Sequence, residues 1–496
     1  MYDDSRFATD FEFDNNLQKQ KPDVQYQQSG IVLKYENGCA YTDISDNHTL
    51  IFGNTGSKKT RNFCIPTVYS IAQSEESMLI SDPKGEIYHN TSGFLKKQGY
   101  NIRVVNIREP KKGHFWNPLE IAYFDYKNGQ KNKAIEMITD LSVQLQNQIH
   151  SERDPYWEMI ASDLFVGITL ALFEAADSVK EVNFLSIQKI RESIKIYEAS
   201  DEKTHLFWTF AEQFKDNDMI MKRLESTVAL KSVERTLSCV LSTFDALFQN
   251  IIINFDIVEL TSVSDFSYDE LYQQKTALFL ITPDEKRTYH FLVSIFIKQC
   301  YEYLIRKAQQ IGGMLPIRIN YILDEFSNLA KITDMPSIIS AGRSRNIRFT
   351  LVVQSSQQLY SIYKEDADTI KSNCQNWIFL ASRETKLLKE ISELCGQFYI
   401  ENRGYRPLLN ISALQTLTTG YEDSQALIIK NHCYPYISWM KDFSYYPQSG
   451  FSPAELPVRK SNNYRKFSIE DFLKQKIKQT VYDDEDFIDS LDALFN

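Results

Sequence analysis

The chain has 496 residues, 43% hydrophobic and 24% charged, which is enough to bury sizeable cores and suggests about three domains' worth of sequence. Mainly disordered, collagen-like and disulfide-scaffold classes are excluded. Lys and Arg number 55 against 65 Asp and Glu, a formal charge of −10, so the chain as a whole carries no basic excess for nucleic acid. Six of those acids and no bases fall in residues 483–496, leaving residues 1–482 at only −4, and so near-neutral a body can still line a basic channel. Seven scattered cysteines without CxxC spacing, and no signal peptide, point to a reducing cytoplasm and away from a zinc site. No run of 18 apolar residues is present, and no membrane span is expected.

In chain order, residues 1–30 are polar and aperiodic and read as a flexible arm. Ile31–Leu33 and His48–Phe52 read as short strands, the second running straight into a glycine-bearing turn. Thr60–Ala72 follows as a helix that Pro66 bends. Ser77–Ser81 and Ile102–Asn106 are further strands, and strand–loop–helix–strand in this order suggests a parallel sheet with crossover helices. From about Gln130 to Asn254 the period becomes helical. Asp154 and Pro155 make an N-cap and first-turn pair, and Trp157, Ile160, Ala161, Leu164, Phe165, Ile168 and Leu172 repeat at i, i+3, i+4 spacing. A second helical run covers Val228–Phe248. Strands resume at Thr276–Ile281, Asn320–Leu323, Phe349–Val353 and Trp377–Leu380. The expected division is an α/β nucleotide-binding domain at 31–129 and 265–450, an inserted all-α domain at 130–264, and a C-terminal extension at 451–496. The acidic end, 483–496, also carries Phe487, Ile488, Leu491, Leu494 and Phe495 near helical spacing and could fold onto a partner groove.

The chemistry concentrates at strand ends. A phosphate-binding loop needs a turn whose N–H groups wrap phosphates, a Lys for the terminal phosphates and a Ser or Thr hydroxyl for Mg²⁺. In Gly53-Asn54-Thr55-Gly56-Ser57-Lys58-Lys59-Thr60, Gly53, Lys59 and Thr60 keep the spacing of G-x-x-x-x-G-K-[ST], while Lys58 stands at the second glycine. Strand Asn320–Leu323 ends in Asp324-Glu325, the pair that would complete an Mg²⁺ shell (Asp324, with Thr60) and orient or deprotonate attacking water (Glu325). Gln354 at the tip of the next strand is placed to sense a γ-phosphate. Between these strands, Arg343, Arg345 and Arg348 form either a solvated face or an arginine finger aimed at a neighbouring subunit, with Arg343 the first candidate.

These segments resemble the type IV secretion coupling proteins, the conjugative DNA-transfer ATPases. The likeness covers roughly residues 48–441 and includes Asp82-Pro83-Lys84-Gly85-Glu86, Trp116-Asn117-Pro118-Leu119, Leu323-Asp324-Glu325-Phe326, Ala341-Gly342-Arg343-Ser344 and Gln354-Ser355-Ser356-Gln357-Gln358-Leu359. The resemblance implies a RecA-like ATP- and Mg-binding motor domain carrying an all-α domain. It further implies a hexameric ring, at the cytoplasmic face of the membrane, passing relaxase-bound single-stranded DNA to a type IV secretion channel. Two departures stand out. Residues 1–30 are too polar to be the transmembrane anchor members usually have, and Lys58 replaces a glycine. Three readings follow: an ATP-driven coupling protein, a degenerate paralogue acting as adaptor or partner in a mixed ring, and a related pump for double-stranded DNA. The relative effect of single- and double-stranded DNA on ATP turnover separates them.

Overall fold

In a computed structural model, residues 4–147, 155–198, 201, 205–420, 422–458 and 464–480 are described. The expected N-cap Asp154 and the acidic segment 483–496 lie outside these residues. The chain divides into two compact units, residues 1–113 with 266–457 and residues 114–265 with 458–496. These boundaries differ from the expected ones. The helical unit begins before Gln130 because Tyr123 and Tyr126 of the helix Glu120–Lys127 pack edge-on against Phe173, at 5.6 and 5.8 Å between ring centroids. It also takes up part of the C-terminal extension, since Phe472 of the helix Ile469–Thr480 packs on Phe210 at 5.5 Å.

The first unit contains all fourteen strands found among the described residues: β1 (Gln18–Gln20), β2 (Ile31–Glu36), β3 (Cys39–Asp43), β4 (His48–Gly53), β5 (Ser77–Asp82), β6 (Asn101–Asn106), β7 (Thr276–Ile281), β8 (Ile319–Leu323), β9 (Ile347–Val353), β10 (Cys374–Ala381), β11 (Gln397–Ile400), β12 (Gly404–Pro407), β13 (Asp423–Lys430) and β14 (Tyr436–Lys441). Nine form one sheet in the order β14-β13-β10-β4-β9-β8-β5-β7-β6. The seven strands from β10 to β6 run parallel, whereas β13 and β14 add antiparallel at one edge. β4, β5, β7, β8 and β9 are buried along their whole length, as both-face burial in a parallel sheet requires, and they read as apolar runs rather than alternations. The fold is therefore α/β, with a mostly parallel sheet.

The polar segment expected to be a flexible arm is ordered in part. A helix, Asp10–Asp14, starts at a capping box between Thr9 and Glu12, β1 pairs with β3, and Phe13 stacks on Tyr436 at 4.0 Å. Composition missed this because the few apolar anchors are spaced too irregularly to show a period. Pro66 has a different effect from the expected bend. Residues Thr60–Cys64 form a π-helical turn that hands over to an α-helix, Ile65–Ile71, with Pro66 in its first turn, where the missing N–H costs nothing.

In the second unit the helix Pro155–Ala175 is central, buried continuously from Leu164 to Phe173. Gly167 lets the helix Asp218–Ala229 approach, since a Cβ there would stand 2.6 Å from Leu224 Cδ2. The run expected at Val228–Phe248 is divided between Asp218–Ala229 and Glu234–Ile252, with polar Lys231 and Ser232 at the turn. No helix among the described residues is long and apolar enough to cross a membrane.

Candidate functional site

Parallel register brings the candidate residues to one edge. Phe52 of β4 lies beside Val353 of β9, Leu323 of β8 beside Leu351, and Ser81 of β5 beside Leu323. The tips beyond these residues therefore carry, side by side, the Gly53–Thr60 loop, Gln354, Asp324-Glu325 and Asp82. Carboxyl-end crevices of this kind are where open α/β sheets bind ligands.

The loop turns back tightly on β4. Asn54 N–H donates to Ala381 O at 3.1 Å, and Ser57 Oγ donates to Asn54 O at 2.7 Å. A Cβ on Gly53 would sit 2.4 Å from Ser57 Oγ and would displace that hydroxyl from Asn54 O. Gly56 and Lys58 both take left-handed conformations, at φ +83° and +62°. For Lys58 this is strained, since its Cβ crowds the backbone. The Lys58 ammonium donates to Gly420 O at 2.9 Å, on the segment leading into β13. Among the described residues, the backbone N–H groups of Gly56, Lys59 and Thr60 have no protein acceptor. Alternating left- and right-handed residues turn such amides into an anion-receptive concavity.

Lys59 is buried with its ammonium on Gly53 O and Asn54 O. Burial lowers its pKa, and the charges of Asp324 and Glu325 oppose that shift. A desolvated ammonium bonded to carbonyls gains from an incoming phosphate. Thr60 Oγ1 donates to Asp324 Oδ2 at 2.6 Å, joining the loop to β8. This hydroxyl–carboxylate pair is an all-oxygen donor set of the type that suits Mg²⁺. Burial pushes Asp324 up to about 6, the Glu325 charge adds to the rise, and Thr60 and Lys59 hold it down. Asp82, also buried, is pushed up to about 7 despite accepting the Tyr88 N–H at 2.7 Å. The residues present fit a nucleotide phosphate and a hard divalent cation.

Glu325 is held in a left-handed conformation, φ 51° and ψ 41°, and its Oε2 accepts from Asn328 Nδ2 at 2.6 Å. Gln354 is beside the loop, with Thr55 Oγ1 3.4 Å from its Oε1. Arg343 is not brought to this edge. It precedes β9 and pairs with Asp46, which precedes β4, at 3.1 Å. Strands of this length span roughly 20 Å, so within one chain Arg343 is remote from the loop. Arg348 is neither a solvated face nor a finger: it is buried and donates to Asn320 Oδ1, Ser29 O, Ser45 O and Glu76 Oε2. Lys371 is buried and paired with Glu390 at 2.7 Å.

The sequence reading missed Arg61, which grips Asp442 with two bonds of 2.6 and 2.7 Å and reaches Glu86 at 3.6 Å. Adjacency to Thr60 was a usable signal for Arg61. None existed for Asp442 or Gly420, which arrive from the antiparallel edge.

Residues 8–429 match the family described as Type IV secretory system Conjugative DNA transfer. The conjugal transfer protein TraG of Escherichia coli is 25% identical over 378 residues, covering 71% of this chain and 55% of that protein. VirD4 of Agrobacterium fabrum is 23% identical over 374 residues, covering 74% and 52%. The chain thus spans about half the length of the curated relatives it matches. Among solved structures, the bacterial conjugative coupling protein TrwBΔN70 in complex with sulphate aligns with a TM-score of 0.61 at 14% identity, over 91% of this chain and 97% of that one. TrwB in complex with ADP and Mg²⁺ aligns at 0.59 and 14%, over 93% and 95%. The fold is thus that of the TrwB structures, and by its match over residues 8–429 the chain belongs to the type IV secretory system conjugative DNA transfer family.

Proposed function

We propose that this protein is the coupling protein of a conjugative type IV secretion apparatus, binding ATP and Mg²⁺ at the Gly53–Thr60 loop. In this reading it recruits relaxase-bound single-stranded DNA and drives its transfer to the secretion channel by hydrolysis, as a ring at the cytoplasmic face of the membrane. The observation that carries the reading is the 2.6 Å bond from Thr60 to Asp324 beside a buried, carbonyl-held Lys59. The names of TraG and VirD4, and the ADP and Mg²⁺ bound by TrwB, support it.

In the mechanism, Lys59 and the free amides of Gly56 and Thr60 bind the phosphate chain. Thr60 and Asp324 would hold Mg²⁺, which would supply charge neutralisation at the phosphates. Glu325 orients the attacking water and accepts its proton, and Gln354 contacts the terminal phosphate. Arg343 lies a strand's length away, so a role for it as an arginine finger would be at a neighbouring subunit and would make hydrolysis depend on assembly.

The test is ATP binding and turnover with single-stranded DNA, double-stranded DNA or neither, for wild type and Lys59→Ala. Turnover that Lys59→Ala abolishes and single strands stimulate supports the reading. Binding without turnover under any condition assigns the chain to the adaptor class, and preferential stimulation by duplex assigns it to double-stranded pumps.

A further inference from the structure

Lys58 and Arg61 flank Lys59 and Thr60, and both reach past β10 to the two outermost strands of the sheet. Lys58 Nζ donates to Gly420 O at 2.9 Å, on the segment leading into β13. Arg61 donates from Nε and Nη2 to Asp442, the residue after β14, at 2.6 and 2.7 Å. The two acceptors belong to one ribbon end. Asp423 pairs with Lys441 in register, Gly420 N–H donates to Asp423 O at 2.8 Å, and Asp442 N–H donates to Glu422 O at 3.2 Å. Asp442 is itself fixed: it is buried, and its Oδ1 accepts from Ser444 N–H at 3.1 Å and Ser444 Oγ at 2.8 Å.

Thr60 opens the π-helical turn Thr60–Cys64, which the Ile65 N–H closes on Thr60 O. Such turns are rare, so contacts beyond the local sequence select this one over an α-helical turn. Asn62 does not supply them, since among the described residues neither end of its buried amide is bonded. The side-chain bonds that hold the turn from outside are those of Thr60 to Asp324, and of Arg61 to Asp442 and Glu86. The first aims the hydroxyl. The second fixes where the turn stands, because a guanidinium held by two parallel bonds has little freedom to pivot. The single bond of Lys58 to a neutral carbonyl is the weaker tie.

We infer that Asp442 is a positioning residue for Thr60, acting through Arg61, and that the β13–β14 ribbon end sets where the phosphate loop stands against Asp324. The inference rests on Thr60 and Asp324 binding Mg²⁺ beside ATP, as proposed above.

The experiment uses the full chain and reads the Kd for ATP by calorimetry, in EDTA and with Mg²⁺, for Asp442→Asn, Arg61→Lys and Lys58→Gly. Asp442→Asn is isosteric and replaces the acceptor of the Nε bond with a donor. It is expected to cut the gain in ATP affinity on adding Mg²⁺ by about 10-fold, while the Kd in EDTA moves by less than about 2-fold. Arg61→Lys keeps the charge but gives up the fork, and is expected to do the same. In the Asp442→Asn background, Lys58→Gly removes the second tie as well. It is then expected to weaken ATP binding, the reverse of its effect in the wild-type chain. An unchanged gain with Mg²⁺ would overturn the inference, as would equal losses in EDTA and Mg²⁺, the result expected of a merely structural pair. Equal tightening by Lys58→Gly in both backgrounds would overturn it too. Amide exchange over residues 61–66 without nucleotide gives a readout independent of ATP. If wild type binds no ATP, the function proposed above fails, while faster exchange in Asp442→Asn still supports the anchor. Unchanged exchange overturns it.

Discussion

The two ends of the parallel strands use polar residues in opposite ways. At the amino-terminal end, buried Arg348 donates to Asn320, Glu76 and three carbonyls, Asn320 also donates to Glu76, and Lys430 pairs with Asp43 at 2.8 Å. His48 donates from Nε2 to Ile339 O at 2.7 Å and accepts the Phe349 N–H on Nδ1 at 3.0 Å. These bonds close on themselves and give the end a single arrangement. At the carboxyl end Lys58 and Glu325 are strained, Asp82 and Asp324 are driven toward their neutral forms, and loop amides lack acceptors. Polar burial at the amino-terminal end is completed by the protein apart from Asn376 Oδ1, whereas at the carboxyl end the loop amides are left for a ligand to complete.

Four experiments bear on this contrast. The largest effect is expected from Arg348→Ala, which leaves buried Glu76 with Arg318 at 3.7 Å as its one remaining cation and should cost about 3–5 kcal/mol of unfolding free energy in denaturant titration. Adding Glu76→Gln should recover part of it, and two purely additive losses would mean the network is not a unit.

The second concerns acid. Burial lowers the His48 pKa to about 4 from an unfolded value of about 6.5. As pH falls through that interval the unfolded chain takes a proton the native ring refuses, so His48 contributes stability present above 6.5 and lost toward 4, up to about 3 kcal/mol. Asp82 has the opposite sign. Its raised pKa lets the native state take the proton first, so its cost is relieved as pH falls from about 7. His48→Gln should therefore remove acid destabilisation that Asp82→Asn makes steeper, as read from unfolding curves between pH 7 and 4.

Third, Lys59→Ala should weaken ATP binding by on the order of 100-fold, or about 3 kcal/mol, by calorimetry. The same variant should not lower thermal stability, because its ammonium is desolvated without a paired carboxylate. A large drop in Tm would place Lys59 among the structural groups instead. The smallest effect is expected from Lys58→Gly, which relieves roughly 1–3 kcal/mol of backbone strain. It should tighten ATP binding and raise turnover, despite losing the bond to Gly420. Unchanged binding and turnover would show that the lysine is accommodated without functional cost.

The strands legible in the sequence were the fully buried ones, such as Ser77–Ser81 and Thr276–Ile281, where both faces must be apolar and the run is continuous. The antiparallel edge, β13 and β14, escaped notice because its burial is mixed along each strand. The candidate site was read residue by residue from strand tips, and the structure brings the Gly53–Thr60 loop, Asp324, Glu325 and Gln354 to one edge. Even the backbone demand at Lys58 was foreseeable from its position in the motif.

Spacing along the chain by itself determined which residues stand at strand ends, because register and the period of two leave little freedom once a strand is buried. Tertiary structure alone decided how each group is used. Arg343 and Arg348 are five residues apart, yet one is half-buried beside Asp46 and the other sealed against Glu76. Asp442 meets Arg61 across 381 residues of sequence. Charge and hydrogen-bonding capacity are local properties of a side chain. Desolvation and the identity of a partner are set by whatever other strands and loops arrive there.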